Sequence, residues 1–276
     1  MEGAYYNGQY LNRLERLGYS QAEIDNKLER TFEEMFYGPE GVRLCHCAGP
    51  DMMYIEDTGN HDVRTEGMSY AMMFCVQMNR QKEFDCLWRW VVTHMYLTEG
   101  ENAGYFAWSC HTDGSKNSDG PAPDGEEFFA MSLFFAANRW GSGEGVLDYA
   151  SWARRILHAC VHKGEEAGSG FPMWNPENHL IKFIPNCEFT DPSYHLPHFY
   201  ELFALWSDEC DRPFWHAAAA ASRQYLRKAC HARTGLSAEY AEYDGRPHRG
   251  DQPDRHDWFF SDAYRTLGNI ALDAQW

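Results

Sequence analysis

Apolar residues recur at helical spacing along most of the chain, while alternating, strand-like runs are short and few. The pattern first becomes clear at Ser20, an N-cap candidate, and carries Ile24, Leu28, Phe32 and Met35 down one side to a Gly38-Pro39 stop. Further helices are expected over Asp62 to Met78, Lys82 to Tyr96, Gly125 to Arg139, Leu147 to His162, Ser193 to Trp206, Pro213 to Ala229 and Asp257 to Ala274. They are of two kinds. Lys82 to Tyr96 gathers Phe84, Leu87, Trp88, Val91, Val92 and Met95 on one side, whereas Asp62 to Met78 is apolar on almost every face and must have protein all round it. Such alternation, with long Gly/Pro/Asp loops between, predicts an all-α protein of nested inner and outer helices forming one domain over residues 1–276. The helices are too few for a closed double ring, and the last runs to Trp276 without a cap or polar tail, so a chain truncated at its C-terminus is expected.

Glu66 is the exception in the apolar helix, sitting in its first turn, and glutamate is rarely buried unless paired or used. Glu66, Ser69, Tyr70 and Gln77 form one stripe by spacing, which suggests the wall of a cleft. Two readings stay open: a carboxylate tied up by hydrogen bonds or by Arg64, or a functional acid. A second unusual helix holds Asp262, Arg265 and Asn269 on one face, with Phe259, Ala263 and Ile270 on another. Arg265 would keep Asp262 ionised, or the two would form a plain salt bridge. Taken together, Glu66 on an apolar helix and Asp262 beside an arginine are one carboxyl set up as an acid and one as a base, the pair that glycoside hydrolysis uses. Asp124 follows Gly120-Pro-Ala-Pro, and Asp124-x-x-Glu127 resembles a capping box, so it is an N-cap or a site residue. Tyr194 could orient a water or seal the core. Gly104 to Trp108 reads as a short strand, with Trp108 either a sugar platform or a core ring.

Composition narrows the partners. Aromatic residues make up 16% of the chain, a surplus beside abundant Asp and Glu that suits sugar rings. A net charge of −17 without a basic stripe excludes nucleic acid and anionic membrane as partners. Nine scattered cysteines show no C-x-x-C pair, and Cys45-His46-Cys47, Cys110-His111 and Cys230-His231 put neighbouring side chains in different directions. No metal and no cofactor are expected. An odd number of thiols, no basic and apolar leader, and no run of about 18 apolar residues lead to a cytoplasmic protein with no membrane span.

Five segments carry a resemblance. Asp-Val-Arg-Thr-Glu-Gly-Met-Ser-Tyr (62–70), Gly-Tyr-Phe-Ala-Trp (104–108), Pro-Ala-Pro-Asp-Gly-Glu-Glu (121–127), Asp-Pro-Ser-Tyr-His-Leu-Pro (191–197) and Phe-Phe-Ser-Asp-Ala-Tyr-Arg (259–265) resemble glycoside hydrolase family 8, in its reducing-end xylose-releasing, exo-acting branch. The resemblance implies an (α/α)6 barrel, here incomplete because the last barrel helices and the loop that blocks one end of the cleft are absent. It implies hydrolysis of β-1,4-xylo-oligosaccharides with inversion, Glu66 as general acid and Asp262 as general base. Asp124 would bind and distort the sugar, and Tyr194 would hold the attacking water. Trp108 and Arg265 are further candidate substrate-binding residues, from the local reading above. Endo action on xylan, β-glucan or chitosan, or a sugar-binding fragment without activity, are the alternatives. The oligomeric state is not encoded in any pattern found.

Overall fold

The computed structural model describes residues 3–165, 169–250 and 255–276. Two single-turn helices, α1 (Ala4–Asn7) and α2 (Arg13–Arg16), precede α3 (Gln21–Tyr37). Ser20 caps α3 as the spacing predicts: its hydroxyl accepts from the Glu23 N–H and the Glu23 carboxylate accepts from the Ser20 N–H. Two small antiparallel ladders follow, β1 (Cys45–Cys47) with β2 (Met53–Ile55), and β3 (Asp62–Arg64) with the later β4 (Ser109–His111).

From there the chain alternates as the two kinds of helix predict. The apolar α4 (Thr65–Gln77) folds back into α5 (Gln81–His94), α6 (Pro123–Trp140) into α7 (Tyr149–His162), and α8 (Pro197–Trp206) into α9 (Arg212–Ala229), with α10 (Tyr264–Gln275) last. The first members of the pairs also pack on one another in sequence, α4 on α6, α6 on α8 and α8 on α10. This inner row is buried along most of its length: Met68, Ala71, Met72, Cys75 and Val76 of α4 and Phe129, Ala130, Met131, Leu133 and Phe134 of α6 are all within the core. On α10 only Thr266 is buried, and Leu267, Ile270 and Leu272 remain 36–44% exposed. The aromatic surplus goes mostly into this interior. The largest fully buried side chains, Trp88, Trp90, Trp174 and Trp215 first among them, are all aromatic.

Several boundaries differ from the pattern reading, each for a local reason. Residues 62–64 are strand rather than the first turn of a helix: Val63 is wholly buried in the ladder, and Arg64 is extended at φ −114°, ψ 151°. Residues 104–108 are not a strand but a turn with one bridge, Tyr96 to Phe106, and pairing starts only at Ser109. Pro123 takes the first helical position of α6, which it suits because it has no N–H to leave unpaired, so Ala122 and not Asp124 is the N-cap. The Asp124–Glu127 capping box is therefore absent, and Glu127 instead accepts from the Tyr200 hydroxyl. In the same way Pro197 opens α8, leaving Pro192–Tyr194 as a separate 3-10 turn. The last helix starts at Tyr264 rather than Asp257, after a 3-10 turn over Ser261–Ala263 in which Ser261 has φ +39°. Phe259 and Ile270 consequently share no buried face with Ala263, and both lie at the surface.

Candidate active site

The four inner helices present their N-terminal ends to one region. Glu66 is the second residue of α4, Asp124 the second of α6, Tyr194 closes the 3-10 turn before α8, and Asp262 lies in the 3-10 turn before α10. The partial positive charge of a helix start favours a carboxylate there. The contact that brings the first two together is made by a glycine. A Cβ built on Gly125 would lie 2.5 Å from Thr65 Cβ and 2.6 Å from its hydroxyl, so only glycine allows the starts of α4 and α6 to meet this closely, carrying their neighbours Glu66 and Asp124 with them.

A cavity of about 310 Å³ is lined by Asp57, Arg64, Glu66, Tyr70, Asp262 and Arg265 among others. A second cavity of about 320 Å³, walled by Met73, Phe74, Asp124, Phe128 and Leu196, shares Tyr70, Tyr264 and Arg265 with it. The two therefore adjoin as one cleft. The cleft-facing strip of α4 is Glu66, Tyr70, Met73 and Phe74, and not the polar stripe expected from spacing. Ser69 is fully buried, its hydroxyl donating to the Glu66 carbonyl at 3.2 Å, and Gln77 lines neither cavity.

Arg265 joins the two halves. One of its terminal nitrogens, Nη1, donates to the Tyr70 hydroxyl at 2.8 Å and to Asp124 Oδ2 at 2.9 Å. The other, Nη2, lies 2.9 Å from Asp262 Oδ2, an ion pair that is off the line of a hydrogen bond. The guanidinium also stands over the Tyr194 ring, 5.6 Å from its centroid, and Asn269 one turn further on donates to the Ser193 carbonyl at 2.7 Å. The expected Asp262–Arg265 pair is thus present, but the same arginine serves Asp124 as well.

Glu66 is not tied up by Arg64. That arginine reaches Asp57 and Asp62, at 3.1 and 3.0 Å, and lies over the Trp108 ring at 5.2 Å. Oε2 of Glu66 is buried and has no hydrogen-bond partner among the described residues. Burial, with the nearby charge of Asp124 next in weight, lifts the Glu66 carboxyl from 4.5 to about 7. Burial also raises Asp124 to about 6, against the pull of Arg265. A carboxyl raised by burial, Glu66, an ion-paired carboxylate, Asp262, and an arginine that holds Asp262 and Asp124 are thus gathered at one cleft. The arrangement can deliver a proton to a leaving oxygen and take one from water. Tyr194 is buried below Arg265 and lines neither cavity, and Trp108 is partly exposed behind Arg64.

The whole chain has close relatives. The family model for glycosyl hydrolases family 8 matches residues 18–276. The chain belongs to glycoside hydrolase family 8. It is 56% identical over 276 residues to the reducing end xylose-releasing exo-oligoxylanase of Halalkalibacterium halodurans, covering all of this chain and 70% of that protein. The counterpart in Bifidobacterium adolescentis is 58% identical over 259 residues, covering 94% of this chain and 67% of that one. The solved structure of Rex8A from Paenibacillus barcinonensis complexed with xylose superposes with a TM-score of 0.97 at 57% identity, covering all of this chain and 73% of that one. No helix among the described residues is long and apolar enough to cross a membrane.

In this family 8 chain the pattern gives no site role to three buried carboxyls near the cleft, Glu127 being only the expected capping-box partner. Glu126 accepts from the Phe106 N–H at 3.0 Å, Glu127 from the Tyr200 hydroxyl, and Asp191 from the Ser193 N–H at 2.7 Å. Burial pushes Glu126 and Glu127 well above the usual carboxylate range and Asp191 up to about 7. A signal was available for the two glutamates, since consecutive glutamates inside an apolar helix are as anomalous as Glu66.

Proposed function

We propose that this chain is an inverting glycoside hydrolase that releases xylose from the reducing end of short β-1,4-xylo-oligosaccharides, built on an (α/α)6 barrel whose inner ring includes α4, α6, α8 and α10. The observation that carries the reading is that Glu66 and Asp262 line one cavity under contrary surroundings, one raised to about 7 by burial and one ion-paired to Arg265. The substrate class is supported by identity of more than half the chain to proteins named as exo-oligoxylanases.

In the proposed mechanism protonated Glu66 donates to the glycosidic oxygen as the bond to the anomeric carbon breaks. Asp262 takes a proton from a water attacking that carbon from the opposite face. Asp124 hydrogen-bonds the sugar at the cleavage point, and Tyr194 helps hold the attacking water. Arg265 keeps Asp124 and Asp262 in register. Inversion requires the two carboxyl groups to stand about 6.5–9.5 Å apart, leaving room for the water.

Digestion of xylotriose followed by proton NMR tests this. The expected result is xylose as the earliest product and the α-anomer at each newly formed reducing end. Initial appearance of the β-anomer would sink the inverting mechanism, and a ladder of oligomers from longer substrates would replace exo by endo action. Glu66→Gln and Asp262→Asn are each expected to abolish turnover with the fold intact.

A further inference from the structure

We propose that His158, His162 and Asp211 form a binding site for a divalent transition-metal ion of the zinc class, clamping the end of α7 to the start of α9. His158 and His162 are four residues apart on α7 and so point from one face, their ring centroids 4.5 Å apart. Asp211 is the residue before α9 and is 1% exposed, so its carboxylate is held at the helix junction. Asp211 Oδ2 lies 3.2 Å from His158 Nδ1, and Asp211 Oδ1 lies 2.7 Å from His162 Nε2. One ligand atom from each residue falls within 4.8 Å of the others. Tetrahedral zinc, with bonds of about 2.0–2.2 Å to nitrogen and oxygen, needs ligand atoms roughly 3.4 Å apart, so adjustments of well under 1 Å suffice at the His–Asp edges, and the His–His edge, within 4.8 Å, closes by at most about 1.4 Å.

A further contact distinguishes the cluster from an ordinary ion pair. The Nδ1–H of His162 donates to Glu165 Oε2 at 2.8 Å, which holds a proton on Nδ1 and leaves Nε2, whose own proton goes to Asp211 at 2.7 Å, as the nitrogen that the proposed ion takes by displacing that proton. A carboxylate behind a ligating histidine is the usual outer support of such a metal. Two imidazoles and one carboxylate favour zinc, cobalt or nickel over calcium and magnesium, which select oxygen. Among the described residues the fourth ligand is water or the Cys210 thiol, whose Sγ lies 3.4 Å from Asp211 Oδ1. None of these residues lines the cleft of Glu66 and Asp262, so the site is separate from the proposed catalysis. Metal binding displaces the protons that the imidazoles share with Asp211, so affinity rises with pH.

Untagged full chain, stripped with EDTA, is titrated with zinc chloride by calorimetry and with cobalt(II) in the visible spectrum. One ion per chain is expected, with the intense bands of four-coordinate cobalt and tighter zinc binding at pH 8 than at pH 6. His158→Gln is expected to abolish the cobalt bands. Glu165→Gln, at an exposed position that leaves folding undisturbed, is expected to weaken zinc binding about 10- to 100-fold. Absence of stoichiometric zinc binding by the wild type, or full affinity retained by His158→Gln, overturns the proposal.

Discussion

Replacing Arg265 by Met tests the brace at the centre of the cleft. The arginine side chain is 13% exposed and its partner Asp124 only 4%, so removing the guanidinium leaves a carboxylate almost wholly out of water. Breaking one side of such a buried pair costs about 3–5 kcal/mol, because the remaining charge keeps its desolvation penalty and loses its compensation. The loss depends on pH. Burial already raises Asp124 to about 6 with the arginine in place, and without it the carboxyl moves higher. A group whose folded pKa is raised contributes its full stability below its unfolded pKa, near about 4, and loses it as pH rises through the folded value. The penalty of Arg265→Met is therefore small at pH 4, where Asp124 of the folded chain holds its proton with or without the arginine, and is much larger at pH 8. Urea unfolding of the wild type, Arg265→Met, Asp124→Asn and the double variant at both pH values measures it. The double variant is expected to recover about 2–3 kcal/mol relative to additivity at pH 8. A cost below about 1 kcal/mol for Arg265→Met at pH 8, or strictly additive single effects, would refute the argument that this ion pair braces the site.

Three other outcomes follow from the same geometry. With Glu66 as the acid at about 7, kcat/KM for xylotriose should fall above pH 7, and a profile flat to pH 9 removes Glu66 as proton donor. Glu66→Gln should stabilise the folded chain in the alkaline range: the shift from 4.5 to about 7 corresponds to roughly 3 kcal/mol of ionisation cost, absent at pH 4 and complete above pH 8, as read by thermal unfolding across that range. Gly125→Ala should force α4 and α6 apart at Thr65 and reduce kcat/KM by about 100-fold, the scale of a displacement of about 1 Å in a catalytic group; unchanged kinetics would show that the two helix starts need no such closeness.

Much of the fold was legible because helix period and amphipathicity are local. The Ser20 capping box, the one-faced α5 and the wholly apolar α4 all follow from side chains within a few residues of one another. Boundaries failed where a distant segment competed. Residues 62–64 carry a helix-compatible pattern, yet β4, forty-odd residues on, takes them into a ladder. Prolines 123 and 197 shifted two helix starts by removing a donor, and the shift moved Asp124 from cap to cleft.

The site divides along the same line. Glu66 and Asp262 stood out in the chain because a carboxylate in an apolar helix and one beside an arginine are local anomalies, and five short motifs pointed to the family. Which groups meet was decided by packing. Arg265 reaches across to Asp124 and Tyr70 because α10 lies against the inner row, and Glu66 and Asp124 approach because Gly125 has no side chain to hold the helices apart. The His158–His162–Asp211 cluster escaped the pattern because its third member is remote in sequence: the two histidines are one helical turn apart, and Asp211 joins them only where α9 starts beside the end of α7. Periodicity specifies which face of each helix is buried, since that depends on nearest residues alone. The charges that share a cavity, and hence their proton affinities, depend on burial and Coulomb contacts that exist only once the helices are stacked.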